Sequence, residues 1–394
     1  MNTLKEDRLF NKGYLIYVIF QTLNFTLLYL SVPVLPKYIY HICGNISIAG
    51  LISGAFAISS LIARPFAGYA ADAFNRKKVI VISLFICSFT TIALSFTDST
   101  AILTTLRLIY GVGVALLSTL IVSCATTFIP KSRTAEGIGY IGLGVAVAAA
   151  IGPALGLYLS SVLGYVFTFF LVGIAYLACF LLLAIAPKAE YKSSGTKQRL
   201  SLSLKNLVEK RAVFYAVLVI PFAIGVGFVN GFIALTAEER NIANIGLFFS
   251  VYAIVMMLLK PLSGKLQDKK GLSAALVPAF VCCIVAQCLI AESYSLAPML
   301  IAALFLAFGQ GAGQPSLQAK CVSVASAGKT GIAISTYYIG QDLGNGLGSI
   351  FGANIAEKFG YTGAYYFCMI LLVLGLALYL IGQKTFAKEN AREA

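Results

Sequence analysis

Two charged side chains stand near the middle of stretches that are otherwise apolar. One is Asp342 in Tyr337-Tyr-Ile-Gly-Gln341-Asp342-Leu-Gly344-Asn345-Gly346, and the other is Arg107 in Arg107-Leu-Ile-Tyr-Gly111-Val-Gly113. At 1.5 Å per helical residue, Asp342 lies ~16 Å and Arg107 ~12 Å into its stretch, close to the middle of a ~30 Å hydrocarbon layer. A charge at that depth costs about 2.5–3.5 kcal/mol to insert, so it ordinarily faces water or a partner and marks a substrate or proton path. Asp342 is the leading candidate to take up and release a proton. The plainer readings are an aspartate bonded to nearby backbone and an arginine held by carbonyls.

Neutral polar and aromatic residues supply candidate cavity walls. Gln21 and Asn24 fall near the middle of the first apolar stretch, ahead of Ser31-Val-Pro33-Val-Leu-Pro36, whose prolines bend its outer half. Tyr29, Tyr110, Phe228, Gln310, Gln314, Tyr337 and Tyr338 are further wall candidates, although an aromatic in such a helix is more often packing than ligand contact. The single histidine, His41, excludes a histidine metal cage. The nine cysteines form no CxxC pair and sit mostly in apolar runs, where cysteine packs as a small hydrophobe. No metal, cofactor or nucleotide-binding loop is expected, so ATP is not the energy source.

These residues need helices to hold them. Hydrophobic residues make up 59% of the 394, charged residues 11%, and the mean hydropathy is +0.89, far from the composition of soluble domains. Twelve apolar stretches, running from 13–38 to 361–382, are each long enough to span a bilayer. The first continues too far to be a cleaved signal peptide. A nine-residue phrase also repeats 196 positions apart, as Arg64-Pro-Phe-Ala-Gly-Tyr-Ala-Ala-Asp72 and Lys260-Pro-Leu-Ser-Gly-Lys-Leu-Gln-Asp268. Two like hydrophobic halves are the mark of a secondary transporter with its site between the repeats. The expected fold is therefore an all-α membrane protein, with twelve transmembrane helices in two pseudo-symmetric six-helix bundles.

The bundles are expected at 1–186 and 212–394, joined by a polar cytoplasmic linker at 187–211. Within it, Leu200, Leu202, Leu204 and Leu207 suit either a short amphipathic helix on the membrane surface or a plain tether. Most of the 29 Lys and Arg residues fall at the termini, the linker and the loops on one side, while the opposite loops hold Lys37, Arg240 and Lys358. The positive-inside rule makes the basic side cytoplasmic, with both termini there. The net charge of +14 then reports orientation in a cytoplasmic (inner) cell membrane and not nucleic-acid binding.

Gly68-Tyr-Ala-Ala-Asp72-Ala-Phe-Asn-Arg76-Lys77-Lys78 and Gly264-Lys-Leu-Gln-Asp268-Lys-Lys-Gly271 resemble the signature loop of the major facilitator superfamily. The resemblance covers the whole chain and is nearest to the twelve-helix drug:proton antiporter type. Asn75 stands where that loop has a glycine, and an asparagine tolerates the left-handed backbone such a turn needs. The resemblance implies that Asp72 meets the start of helix 11 near Gly331, and that Asp268 meets the start of helix 5 near Glu136 and Gly137. Arg76 and Arg133 would complete this inner gate. The plainer reading is a set of solvated loop charges. Arg107 matches the superfamily's arginine-plus-glycine motif, which implies a part in proton transfer beside Asp342. Gly152-Pro153-Ala-Leu-Gly156 resembles the exporter motif of helix 5, and a proline beside small residues makes a kinked, tightly packed hinge.

The function expected is proton-coupled efflux, as an antiporter, of a small amphiphilic or polar compound across the cytoplasmic membrane. Its partners are that substrate, protons and the lipid bilayer, without nucleic acid and without enzymatic chemistry. The alternatives are a sugar or nutrient facilitator or proton symporter of the same fold, and a transporter-derived sensor that binds without transport.

Overall fold

A computed structural model of the protein describes residues 9–44, 46–187 and 207–390. The first helices are α1 (Lys12–Cys43), α2 (Ile46–Ala73), α3 (Arg76–Ala93, extended by a 3-10 turn at Leu94–Phe96) and α4 (Thr100–Thr126). A 3-10 turn at Lys131–Arg133 leads into Thr134–Ile185, which breaks at Gly164 (φ 80°, ψ 166°) into α5 (134–163) and α6 (165–185). The second half repeats the order with α7 (Lys210–Glu239), α8 (Gly246–Lys270), α9 (Leu272–Glu292) and α10 (Leu296–Ser323). Thr330–Asn390 breaks at Gly360 (φ 71°, ψ 171°) into α11 (330–359) and α12 (361–390). Both breaks use a backbone that only glycine adopts without strain, so the same corner closes each half.

Twelve helices thus stand where twelve apolar stretches lie, and no strand occurs among the described residues. Nine stretches among those residues are long and apolar enough to cross a bilayer. Large apolar side chains such as Leu51, Phe89, Leu181 and Ile381 face outward, which suits a lipid surround and not water.

The duplicated phrases differ from the expected loops. α2 continues to Ala73 and α8 to Lys270, so each phrase is helical throughout and the connections shorten. Asn75 is not left-handed: it sits at φ −68°, ψ 106° and caps α3, its side-chain oxygen accepting the Lys78 N–H at 3.2 Å. The chain has already left α2 there, and asparagine is a favoured N-cap. Gly271 does take the left-handed turn, at φ 84°. Of the linker, Leu207 is buried, whereas Leu200, Leu202 and Leu204 lie outside the described residues.

Within the halves, α1 packs on the Thr134–Ile185 element, α2 on α4, α7 on the Thr330–Asn390 element and α9 on α10. Between them run two reciprocal seams, α2 against α11 and α5 against α8. Glycine sets how close they come. A Cβ on Gly68 would stand 2.8 Å from the Ile332 Cα, and one on Gly264 would press into the Ala135 carbonyl.

Candidate functional site

A cavity of about 630 Å³ lies between the halves, walled by α1, α2, α4, α5, α8, α10 and α11. Asp342 opens onto it, with its side chain about a quarter exposed (26%). Its partner is Arg64, one of the two basic residues that open the duplicated phrases. Arg64 Nε donates to Asp342 Oδ2 at 2.8 Å, and Nη1 donates to Ser118 Oγ at 2.8 Å. The guanidinium also lies over the Tyr338 ring, 4.5 Å from its centroid, and the Ser335 hydroxyl donates to the Arg64 carbonyl. Arg64 therefore ties α2, α4 and α11 together at one point. Such planar, multi-donor bonding is what arginine supplies and lysine does not.

Lys260 opens the second phrase and enters the same cavity from α8. Its Nζ donates to the Gly142 carbonyl of α5 at 2.9 Å. Among the described residues it forms no ion pair with a carboxylate.

Arg107 is placed apart from the cavity wall. It is buried, with its guanidinium over the rings of Phe56 (4.6 Å) and Tyr110 (4.8 Å). Phe56 itself lines the cavity, so Arg107 lies behind that wall residue.

Of the wall candidates, Tyr29, Gln314, Tyr337 and Tyr338 line the cavity. Gln341 Nε2 donates to Gln314 Oε1 at 3.4 Å across its wall. Tyr110, Phe228 and Gln310 pack within their own halves. Tyr110 shares a 2.9 Å hydroxyl contact with Tyr176, Phe228 lies against Tyr365, and Gln310 donates to the Phe222 carbonyl at 2.9 Å. Gln21 and Asn24 are buried in α1 outside the cavity wall, and among the described residues neither Gln21 polar atom has a hydrogen-bond partner. Gly152 and Gly156 press α5 against Leu30 of α1, with Pro153 inside the same helix.

At the basic end, two carboxylates cross between the halves. Asp72 accepts the Gly331 and Ile332 N–H groups at 2.9 and 2.8 Å, and Asp268 accepts those of Ala135 and Glu136 at 3.0 and 2.8 Å. The two sets are related by the same 196-residue offset as the phrases. Each carboxylate sits on the N-terminal turn of a helix, where free N–H groups and the helix dipole favour an anion. Arg76 reaches Asp72 at 3.5 Å, while Arg133 and Lys265 pair with Glu136 at 2.7 and 3.5 Å. Burial pushes the Asp72 carboxyl up to about 6 against the pull of the two amides and Arg76, so it is mostly ionised at neutral pH.

Sequence reasoning did not single out Arg64 and Lys260 as site residues, although each is a basic residue inside an apolar stretch. That depth was the available signal.

The sequence profile of the Major Facilitator Superfamily matches residues 17–243 and 215–394. Multidrug resistance protein 2 of Bacillus subtilis (strain 168) is 25% identical over 373 residues, covering 89% of this chain and 90% of its own. Multidrug resistance protein MdtG of Citrobacter koseri is 26% identical over 354 residues, covering 85% and 86%. Among solved structures, the human organic anion transporter MFSD10 (TETRAN) superposes with a TM-score of 0.78 over 93% of this chain and 98% of its own. At 16% identity it speaks for the fold alone.

Proposed function

This chain belongs to the Major Facilitator Superfamily, and from that premise we propose that it is a proton-coupled exporter acting through the cavity at Arg64 and Asp342. Membership carries the coarser part: a multi-pass membrane transporter of small molecules with no enzymatic step. The relatives named as multidrug resistance proteins support outward transport. In this proposal the halves 1–186 and 212–394 rock about the cavity, with both termini and the Asp72 and Asp268 latches at the cytoplasmic face.

The observation that carries the coupling is the Arg64–Asp342 pair, because it bridges α2 and α11, the seam that Asp72 also latches. A proton arriving from outside neutralises Asp342 and removes the charge that holds the Arg64 Nε–H. Substrate leaves, the protonated carrier turns inward, and Asp342 releases its proton to the cytoplasm. Arg107 acts as a positioning residue, holding Phe56 and Tyr110 from behind the wall. A second reading, import of a hydroxylated nutrient with protons, is favoured by the Gln314–Gln341 amides in the wall.

Everted membrane vesicles acidified by respiration test the direction. A panel of anionic, neutral and cationic amphiphiles is added while lumenal pH is followed with a quenched acridine dye. An exporter exchanging protons restores fluorescence with at least one compound, and Asp342→Asn abolishes the response. Compound entering right-side-out vesicles together with protons, or an unaltered response in Asp342→Asn, overturns the proposal.

A further inference from the structure

The described cavity wall carries two cations and one anion, Arg64, Lys260 and Asp342, which leaves one positive charge in excess. The relation between the halves shows where that excess lies. Position 260 is the counterpart of position 64, and by the same offset Asp342 and Tyr338 correspond to Ala146 and Gly142. On one side Arg64 has both a carboxylate, at 2.8 Å, and an aromatic ring, at 4.5 Å. On the other, a methyl group and a hydrogen stand in those two places. Lys260 is left with the Gly142 carbonyl, and so with one described acceptor for three donors. The side chains that fill the space beside Arg64 have no counterpart beside Lys260.

A buried ammonium without a counter-charge is costly, whereas an arriving anion removes that cost and gains charge-assisted hydrogen bonds. The rest of the wall is largely apolar, Phe25, Leu28, Phe56 and Val145 among its residues, and the Lys260 stem lies directly against Gly142. We propose that Lys260 recognises an oxyanion on the substrate, and that the substrate class is a compact aromatic or aliphatic body bearing one carboxylate or sulfonate. The substrate then stands beside Lys260 where Asp342 stands beside Arg64, and completes the pseudo-symmetry of the cavity while it is bound. This deepens the exporter proposal and rests on the same cavity being the transport site.

The test is equilibrium binding to the purified full-length protein, without a pH gradient, using three radiolabelled probes with one ring system. They are 1-naphthylacetate, its neutral amide and 1-naphthylethylamine. The acid is expected to bind at least about tenfold more tightly than the amide and the amine, the discrimination of one charge-assisted contact. Lys260→Gln, which keeps a donor for the Gly142 carbonyl, should bring acid and amide within about twofold, and Lys260→Arg should retain the preference. Asp342→Asn should raise affinity for the acid, because Arg64 is then also uncompensated. Equal binding of acid and amine by the unaltered protein, binding of none of the three, or an undiminished preference in Lys260→Gln overturns the proposal. A failed proton-coupling assay leaves these binding results intact, so the two proposals fail separately. The comparison of probes on the unaltered protein stands even if a variant does not fold.

Discussion

Neutralising the two carboxylates at the basic end should unlatch the protein toward that face. Asp72 and Asp268 each accept two backbone N–H bonds from a helix of the other half, at 2.8–2.9 Å and 2.8–3.0 Å. An asparagine offers one oxygen and one NH₂ group, so one of the two amides then meets a donor. A hydrogen bond to a charged group is worth about 1.5–3 kcal/mol, and an anion at a helix N-terminus adds roughly 0.3–1 kcal/mol. The Asp72 side chain is buried and takes about 2 kcal/mol of this, after the cost of burying its charge. Asp268 is partly buried and takes about 1 kcal/mol. The double variant Asp72→Asn/Asp268→Asn therefore moves the closed-to-open ratio at this face by about 3 kcal/mol, or roughly a hundredfold. The assay is labelling by an impermeant maleimide in everted vesicles, with Ser123→Cys on α4 or Gln318→Cys on α10 as the sole cysteine. Labelling should accelerate in each single variant and most in the double. Unchanged rates at both positions would show that the duplicated phrase records topology and does not set the conformational equilibrium.

Asp342→Asn should insert normally and lose proton-coupled transport; accumulation against a gradient at the normal rate and pH dependence would show that the carboxylate is structural. Arg64→Gln should lower stability by about 1–3 kcal/mol, less than the 3–5 kcal/mol of a fully buried broken pair because Asp342 is a quarter exposed. Adding Asp342→Asn should recover part of that loss, read as the thermal midpoint in detergent, and a simply additive double variant would refute an energetic coupling. Arg107→Lys keeps the charge but loses the planar stacking on Phe56 and Tyr110, and turnover should fall roughly tenfold. Wild-type turnover in Arg107→Ala removes the residue from the mechanism. Gly264→Val should collide with the Ala135 carbonyl and favour the form open at the basic end, whereas Gly231→Ala, with nothing within 4 Å, should leave maleimide labelling unchanged.

The sequence by itself determined what depends on solvent and on local backbone. Twelve spans follow from the length of apolar runs, since a bilayer admits no unpaired backbone. The twofold architecture follows from one phrase repeated at a fixed offset, and the depth of Asp342 follows from helical rise alone. The Asp72 and Asp268 contacts were implied by the resemblance to the superfamily's signature loop, and their physical form is a carboxylate on the N–H groups of a helix start.

Tertiary structure decided everything that depends on which side chain faces which across a seam. Arg64 and Asp342 are 278 positions apart, and nothing local indicates that α2 presents the first to α11 while Arg107, at similar depth, turns toward Phe56 and Tyr110. Gln21, Asn24, Tyr110, Phe228 and Gln310 have the residue types of a cavity wall yet lie outside it, because helix rotation is set by packing and not by polarity. The lone position of Lys260 emerges only when its contacts are set beside those of Arg64. A hydrogen at Gly142 and a methyl at Ala146 are silent in the sequence, and they become a site only through the charge they fail to balance.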